Sequence, residues 1–351
     1  MDVRSIRMKR STLLVIIAMS PLVLAVLTGV KSFEVWPQIT YLWDMKADPL
    51  FELSRIHPHG IRYALMYPIL MASEYLGLHQ DRLFSLISLI NCYFTIRNVG
   101  AISSTIVKER RNGDMVLFGC AVALTILFFL MNGRIGFAFL GYSILMLVIV
   151  RHHYNRQIGI SSLIGMMLGL AFCSVSSGTL ISAVLSLVIA VYFEALRCIR
   201  RVTLTRSSVL IVLSCIVLGG LLFRHLVASV NKNADFYGGG SDGILRMLEH
   251  GMGRVVYPAL DAAGLPLVTL LVVSIMILFS ALLLRLNHAL LLHILLAAIF
   301  CGAFGYSTLS LGAIPLLVLV AVLLTTKLDE NMPDAESERL ADRITPIRSI
   351  T

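Results

Sequence analysis

Residues 44–63, "DMKADPLFELSRIHPHGIRY", bring Asp44, Asp48, Glu52, His57 and His59 together in an otherwise apolar chain. A carboxylate at a membrane surface can take a proton from an attacking hydroxyl, and a histidine can do the same near neutral pH. Asp44 and Asp48 come first among these candidates, because Trp43 and Pro49 beside them would hold each at an interface, and His57 completes the catalytic set. The "HPH" pair has no third ligand at a diagnostic spacing, so no metal is expected.

A second group of residues is cationic. Arg134, in "FLMNGRIGFAFLGYSILML", stands in a very short connection between two apolar runs. A guanidinium there makes a bidentate clamp for phosphate oxygens, with Gly133 and Gly136 letting a headgroup approach; the alternative is snorkelling to the interface. Arg97, in "LINCYFTIRNVGAISSTIV", is a charge inside an apolar run, which costs roughly 2.5–3.5 kcal/mol on insertion and so should face a polar cavity or a partner. Further on, "SDGILRMLEHGMGRVV" predicts a short helix capped by Ser241 or Asp242, with Arg246, His250 and Arg254 one turn apart on one face. That triplet suits a diphosphate headgroup and, equally, an anionic lipid. The preceding "YGGGSDG" is a flexible turn without the Lys-Ser/Thr ending of a phosphate-binding loop. Hydroxyls in "SVSSGTLIS" can bind sugars or satisfy one another between helices.

The elements that must position these groups are membrane helices. Of 351 residues, 58% are hydrophobic and only 14% charged, too little polar surface for a soluble globule. Apolar runs stand at 12–30, 82–106, 115–131, 134–150, 158–174, 178–195, 208–223, 265–284, 288–304 and 309–326, each long enough to cross a bilayer. The net charge of +9 comes from short clusters between these runs, not from one basic face, so no nucleic acid is expected. The six cysteines fall in or beside the runs with no CxxC spacing, which speaks against disulfides and metal. The first run follows "MDVRSIRMKR" and is read as an uncleaved helix, because it is long for a signal core and lacks a small-residue cleavage site.

The clusters "MDVRSIRMKR", "KERRNG", "RHHYNR", "RCIRRVTLTR" and "RLNH" all fall on the cytoplasmic side if 61–79 does not span. The expected fold is therefore an all-α polytopic bundle of about ten helices, eleven if 61–79 crosses, with both termini cytoplasmic. Residues 61–79 are read as an amphipathic segment on the outer leaflet. Two longer outer loops, 31–81 and 224–264, carry the candidate chemistry, and 1–326 form one transmembrane domain followed by a solvated tail, 327–351.

With its acidic segment "WDMKADPLFE" after the first helix, its Arg-led outer helix start "NGRIGFAFLGY" and its Arg-rich later loop, the chain resembles bacterial surface-polysaccharide polymerases of the Wzy and EpsG type. The histidine often found in EpsG-like proteins near the position of "SVSSGT" is missing here. The resemblance implies an inner-membrane protein that joins oligosaccharide repeats (O-antigen, capsule or exopolysaccharide) carried on undecaprenyl diphosphate. It also implies membrane lipids and other polysaccharide-assembly and chain-length proteins as partners, and no cofactor. Arg134 and the second-loop arginines would then hold the diphosphate while an acid or histidine of the first loop activates the acceptor hydroxyl. A GT-C type polyprenyl-phosphate-sugar glycosyltransferase, which also carries acids and an amphipathic helix in its first outer loop, and a flippase for lipid-linked sugars are the alternatives.

Overall fold

The computed structural model describes residues 10–54, 58–107, 113–155, 159–201, 289–301 and 312–330, with a few positions between 213 and 246. No strand occurs among the described residues. The helices are α1 (Arg10–Leu27), α2 (Pro37–Asp44), α3 (Pro49–Ser54), α4 (Pro58–Tyr75), α5 (Gln80–Ile106), α6 (Gly113–Leu130), α7 (Gly133–Asn155), α8 (Ile160–Cys173), α9 (Ser177–Arg201), α10 (Ala289–Cys301) and α11 (Ala313–Glu330).

Five of them are long and apolar enough to cross a membrane: α1, α5, α6, α7 and the stretch Gly178–Ala195 of α9. The apolar parts of α8, α10 and α11 are shorter. Two of the expected spans, 208–223 and 265–284, lie outside the described residues. Helix α4 is 18 residues long but is not among the five, since Arg62, Ser73 and Glu74 lower its hydropathy.

α1 and α6 run parallel. Arg10 Nε pairs with Asp114 Oδ2 at 3.5 Å at one end, and Lys31 Nζ donates to the Met131 carbonyl at 3.0 Å at the other. α1 turns Val15, Ala18, Met19 and Leu22 inward, a one-face spacing, while Leu13, Ile16, Ile17 and Leu24 remain exposed. A helix apolar on both its packed and its outer face suits a hydrocarbon surround.

α5 runs antiparallel to both and packs against each of them. Its first turn is fixed by the loop after α1, where the Phe33 amide donates to Ser85 Oγ and the Val35 amide to Asp81 Oδ1, both at 2.9 Å. These contacts define a loop end of the bundle, holding Lys31, α2, α3 and the starts of α5 and α7. The opposite, basic end holds the start of α1, the α5–α6 junction and the end of α7.

α7 is the central helix, buried along most of its length. It stacks Phe137 on Phe84 of α5 with ring centroids 5.6 Å apart, and Asn98 of α5 donates to its Ser143 at 3.0 Å. Against α8 the backbones meet at Gly141 and Gly169, where a Cβ on Gly141 would lie 2.6 Å from the Gly169 carbonyl oxygen. Close approach of this kind substitutes for the hydrophobic drive that helices lack in lipid. Toward α9, Tyr142 and Ser186 share a hydrogen bond of 3.1 Å, and the buried His152 and Glu194 pair at 3.3 Å near the basic end.

The first long loop, 31–81, is folded into α2, α3 and α4, the last covering most of the segment 61–79 that was read as amphipathic. α2 starts on Pro37, whose missing N–H costs nothing at a helix start. It ends with Lys46 at φ 50, the Lys46 amide donating to Trp43 and the Ala47 amide to Leu42. This is a Schellman ending in which lysine takes the place glycine usually fills. α11 extends through Glu330, so the first four residues of the expected tail, 327–330, are helical.

Candidate functional site

Arg134 is placed by the start of α7. Asn132 caps that helix, its Oδ1 accepting from the Ile135 amide at 3.3 Å. A side chain at Gly133 would collide with Phe84 and Phe33, so only glycine lets the helix start lie this close to α5. Arg134 follows as the second residue of α7, half-buried, and its Nε is buried without a hydrogen-bond partner among the described residues.

Facing it is Arg62 of α4. Arg62 is only 8% exposed, and its pKa falls to about 10, first because burial disfavours the charge and then because the Arg134 guanidinium repels it. Two cations are thus held together at the loop end. α4 is seated by Tyr63, fully buried, whose hydroxyl donates to the Ala47 carbonyl at 3.0 Å. Burial raises the Tyr63 pKa, and Tyr67, Glu52 and Asp48 push the same way. Glu52, itself buried on α3, abuts Gly60 at the start of α4 through its backbone carbonyl. Tyr67 packs edge-on against Trp43 of α2 at 5.5 Å.

A second donor points to the same end. Trp36 is buried against Phe84, ring centroids 6.0 Å apart, and its Nε1 has no hydrogen-bond partner among the described residues. Buried N–H groups normally find acceptors, so the Arg134 Nε–H and the Trp36 Nε1–H, both at the loop end, are donors that an anion could use. The positive end of the α7 dipole adds to the field.

The other expected site residues are distributed as follows. Asp44 ends α2 and is exposed. Asp48 is exposed and caps α3, its Oδ1 accepting from the Leu50 amide at 2.9 Å. His57, His250 and Arg254 lie outside the described residues. Arg246 is exposed, and Gly238, Gly239 and Gly240 all have positive φ, as a glycine turn allows. Arg97 is brought to neither loop: it lies on α5 toward the basic end, its Nη1 donating to Tyr93 Oη at 3.0 Å. Arg134 and Arg97 therefore do not share a site. Around "SVSSGTLIS" the Thr179 and Ser182 hydroxyl oxygens are buried with no partner among the described residues. No cluster of three or more metal-ligating side chains occurs among the described residues.

Sequence reasoning passed over Arg62, treating it as polarity in an amphipathic segment. The available signal was a lone arginine at one rim of a greasy helix, matched by a second lone arginine, Arg134, at another. No family model, curated protein or solved structure matches this chain.

Proposed function

We propose that this protein polymerises undecaprenyl-diphosphate-linked oligosaccharide repeats by glycosyl transfer at the outer face of the bacterial inner membrane. The observation that carries the reading is the pair of arginines Arg62 and Arg134 at the loop end, close enough that one lowers the pKa of the other, with Arg134 Nε buried and, among the described residues, unspent. In the transfer, the acceptor hydroxyl oxygen bonds to the donor's anomeric carbon as the carbon–oxygen bond to the lipid diphosphate breaks. The diphosphate leaves with the bonding electrons, and the hydroxyl proton passes to a base. Arg62 and Arg134 would take up the charge that develops on the leaving group.

For the base, Asp44 is the better candidate of the two described acids, since Asp48 already accepts from the Leu50 amide. Asp44 is exposed close to the Trp43–Tyr67 contact, where an apolar wall meets water. His57 and the second-loop groups Arg246, His250 and Arg254 complete the proposed substrate surface.

The test is a gel of surface and lipid-linked glycans from a strain lacking the gene, complemented with the natural chain or with Arg62→Ala or Arg134→Ala. Loss of long chains with build-up of one complete lipid-linked repeat supports polymerisation. A truncated repeat assigns the chain to single-sugar transfer, and a complete repeat held on the cytoplasmic side assigns it to flipping.

A further inference from the structure

A cavity of about 530 Å³ opens at the basic end between α1, α5 and α6. Its polar lining is Ser11, Thr12, Arg97, Ser103, Ser104 and Asp114. Arg97 is exposed there, and among the described residues it has no acidic partner; its contacts are the hydrogen bond to Tyr93 and the face of that ring, 5.8 Å away. Asp114 on the same wall is bridged to Arg10. Among the described residues, Arg97 is therefore the charge at the cavity that no opposite charge offsets.

The hydroxyls of Ser11 and Thr12 make no hydrogen bond among the described residues. Those of Ser103 and Ser104 donate back to the Val99 and Ala101 carbonyls, both at 2.9 Å, and can turn into the cavity by rotation about χ1. Ser11 and Thr12 of α1 and Gly113 and Asp114 of α6 border the space.

Beside this polar cavity runs an apolar track. On α5, Leu86, Ile90 and Phe94 are 41%, 52% and 50% exposed, and at i, i+4 and i+8 they form one stripe that leads to Arg97. From Leu86 to Phe94 the stripe is about 12 Å long. A hydrocarbon chain lying along it would deliver its headgroup to the guanidinium.

We infer that this cavity binds the phosphate headgroup of a membrane lipid in the leaflet at the basic end, with Arg97 as the anchoring charge and the α5 stripe as the bed for the lipid chain. The inference is independent of the polymerase reading, which concerns the other end of the bundle. A single phosphate fits a guanidinium that has no acidic partner among the described residues, with hydroxyl donors around it. The attached chain accounts for the apolar stripe, which a free ion would leave unused.

The chain's two tryptophans, Trp36 and Trp43, both lie at the loop end, so a tryptophan introduced by Phe94→Trp reports locally. The full-length protein carrying this change is reconstituted in bilayers containing brominated phosphatidic acid or brominated phosphatidylcholine. Phosphatidic acid should quench the new tryptophan at about a tenfold lower mole fraction, the expected value of a charge-assisted contact. Adding Arg97→Gln should abolish that preference, and adding Arg97→Lys should retain most of it. Equal quenching by the two lipids, or a preference unchanged by Arg97→Gln, overturns the inference. So does full relief of quenching by millimolar inorganic phosphate, which would make the cavity a site for a soluble anion.

Discussion

Arg62 of α4 and Arg134 of α7 hold their guanidinium groups together at the loop end, buried deeply enough that the charge on Arg62 is disfavoured both by its surroundings and by its neighbour. A pKa lowered to about 10 represents a cost of about 3 kcal/mol to the folded chain. Sites that store such a cost commonly do so for a ligand. Arg62→Met, close in length and uncharged, should leave the purified protein folded with a cooperative melting transition, while glycan polymer is lost. A melting curve and a glycan gel on the same variant check both halves.

The pH dependence follows from the same pair. Arg62 is cationic below about pH 10 in the fold, well below the ordinary arginine range. Its folded pKa is depressed, so the cost of its charge is fully present through the neutral range and is relieved as pH rises above about 10 toward the ordinary arginine value. Anion binding runs the other way: it is present below about pH 10 and falls as Arg62 loses its proton. A dialkyl diphosphate, whose own charge is constant over that range, should bind with constant affinity from pH 7 to 9 and weaken about tenfold by pH 11. Arg62→Gln should bind weakly at every pH and show no such fall, as calorimetric titration would reveal.

Asp44 and Asp48 should separate cleanly on substitution. Asp48→Asn keeps an effective cap on α3 and should leave both stability and polymer intact, whereas Asp48→Ala should cost about 1 kcal/mol. Asp44→Asn keeps the shape of an exposed side chain but removes the base, so polymer should fall at least a hundredfold with unchanged stability. Full polymer from Asp44→Asn would remove Asp44 from the chemistry.

The α7–α8 crossing should tolerate no enlargement. Gly141→Ala places a methyl 2.6 Å from the Gly169 carbonyl oxygen, 2.7 Å from Phe172 Cβ and 2.9 Å from the Cys173 amide nitrogen, and the first and last of these are backbone atoms that cannot rotate away. The variant should lose about 1–3 kcal/mol, and Gly141→Val more. Thermal aggregation of detergent-solubilised protein, read by size-exclusion chromatography, gives the order.

Much of this architecture is legible in the chain. The apolar runs that predicted α1, α5, α6, α7, α8, α9, α10 and α11 are helices within a few residues of their expected bounds, because a long apolar stretch without backbone competitors leaves little other choice. The Asn132-Gly133-Arg134 junction was legible only in part: Gly133 and Gly136 were expected to admit a headgroup, and in the fold the space beside them is taken by Phe84 and Phe33 and by Phe128. The site itself was only half visible. Arg134 drew attention because a positive charge is out of place in a short loop on that side. Arg62 did not, since its importance lies in a partner far along the chain and no local pattern encodes that pairing. Asp48 shows the reverse error of emphasis: an Asp-Pro step is first of all a helix start, and its carboxylate is occupied there. Arg97 was readable as a charge needing a cavity, but the end of the bundle that cavity opens to is a matter of helix packing.

α1 touches the bundle through Val15, Ala18, Met19 and Leu22 and is fastened to α6 at both its ends, by Arg10 to Asp114 and by Lys31 to Met131. That arrangement makes the first hydrophobic segment one wall of the bundle. It also sets an order of assembly. During synthesis α1 enters the bilayer long before α6 exists, so its inward face must wait in lipid or against the translocation machinery until α5 and α6 arrive to cover it. A protease cut after Leu27 would strip the cover from the α5–α6 groove and open the basic-end cavity along its whole side.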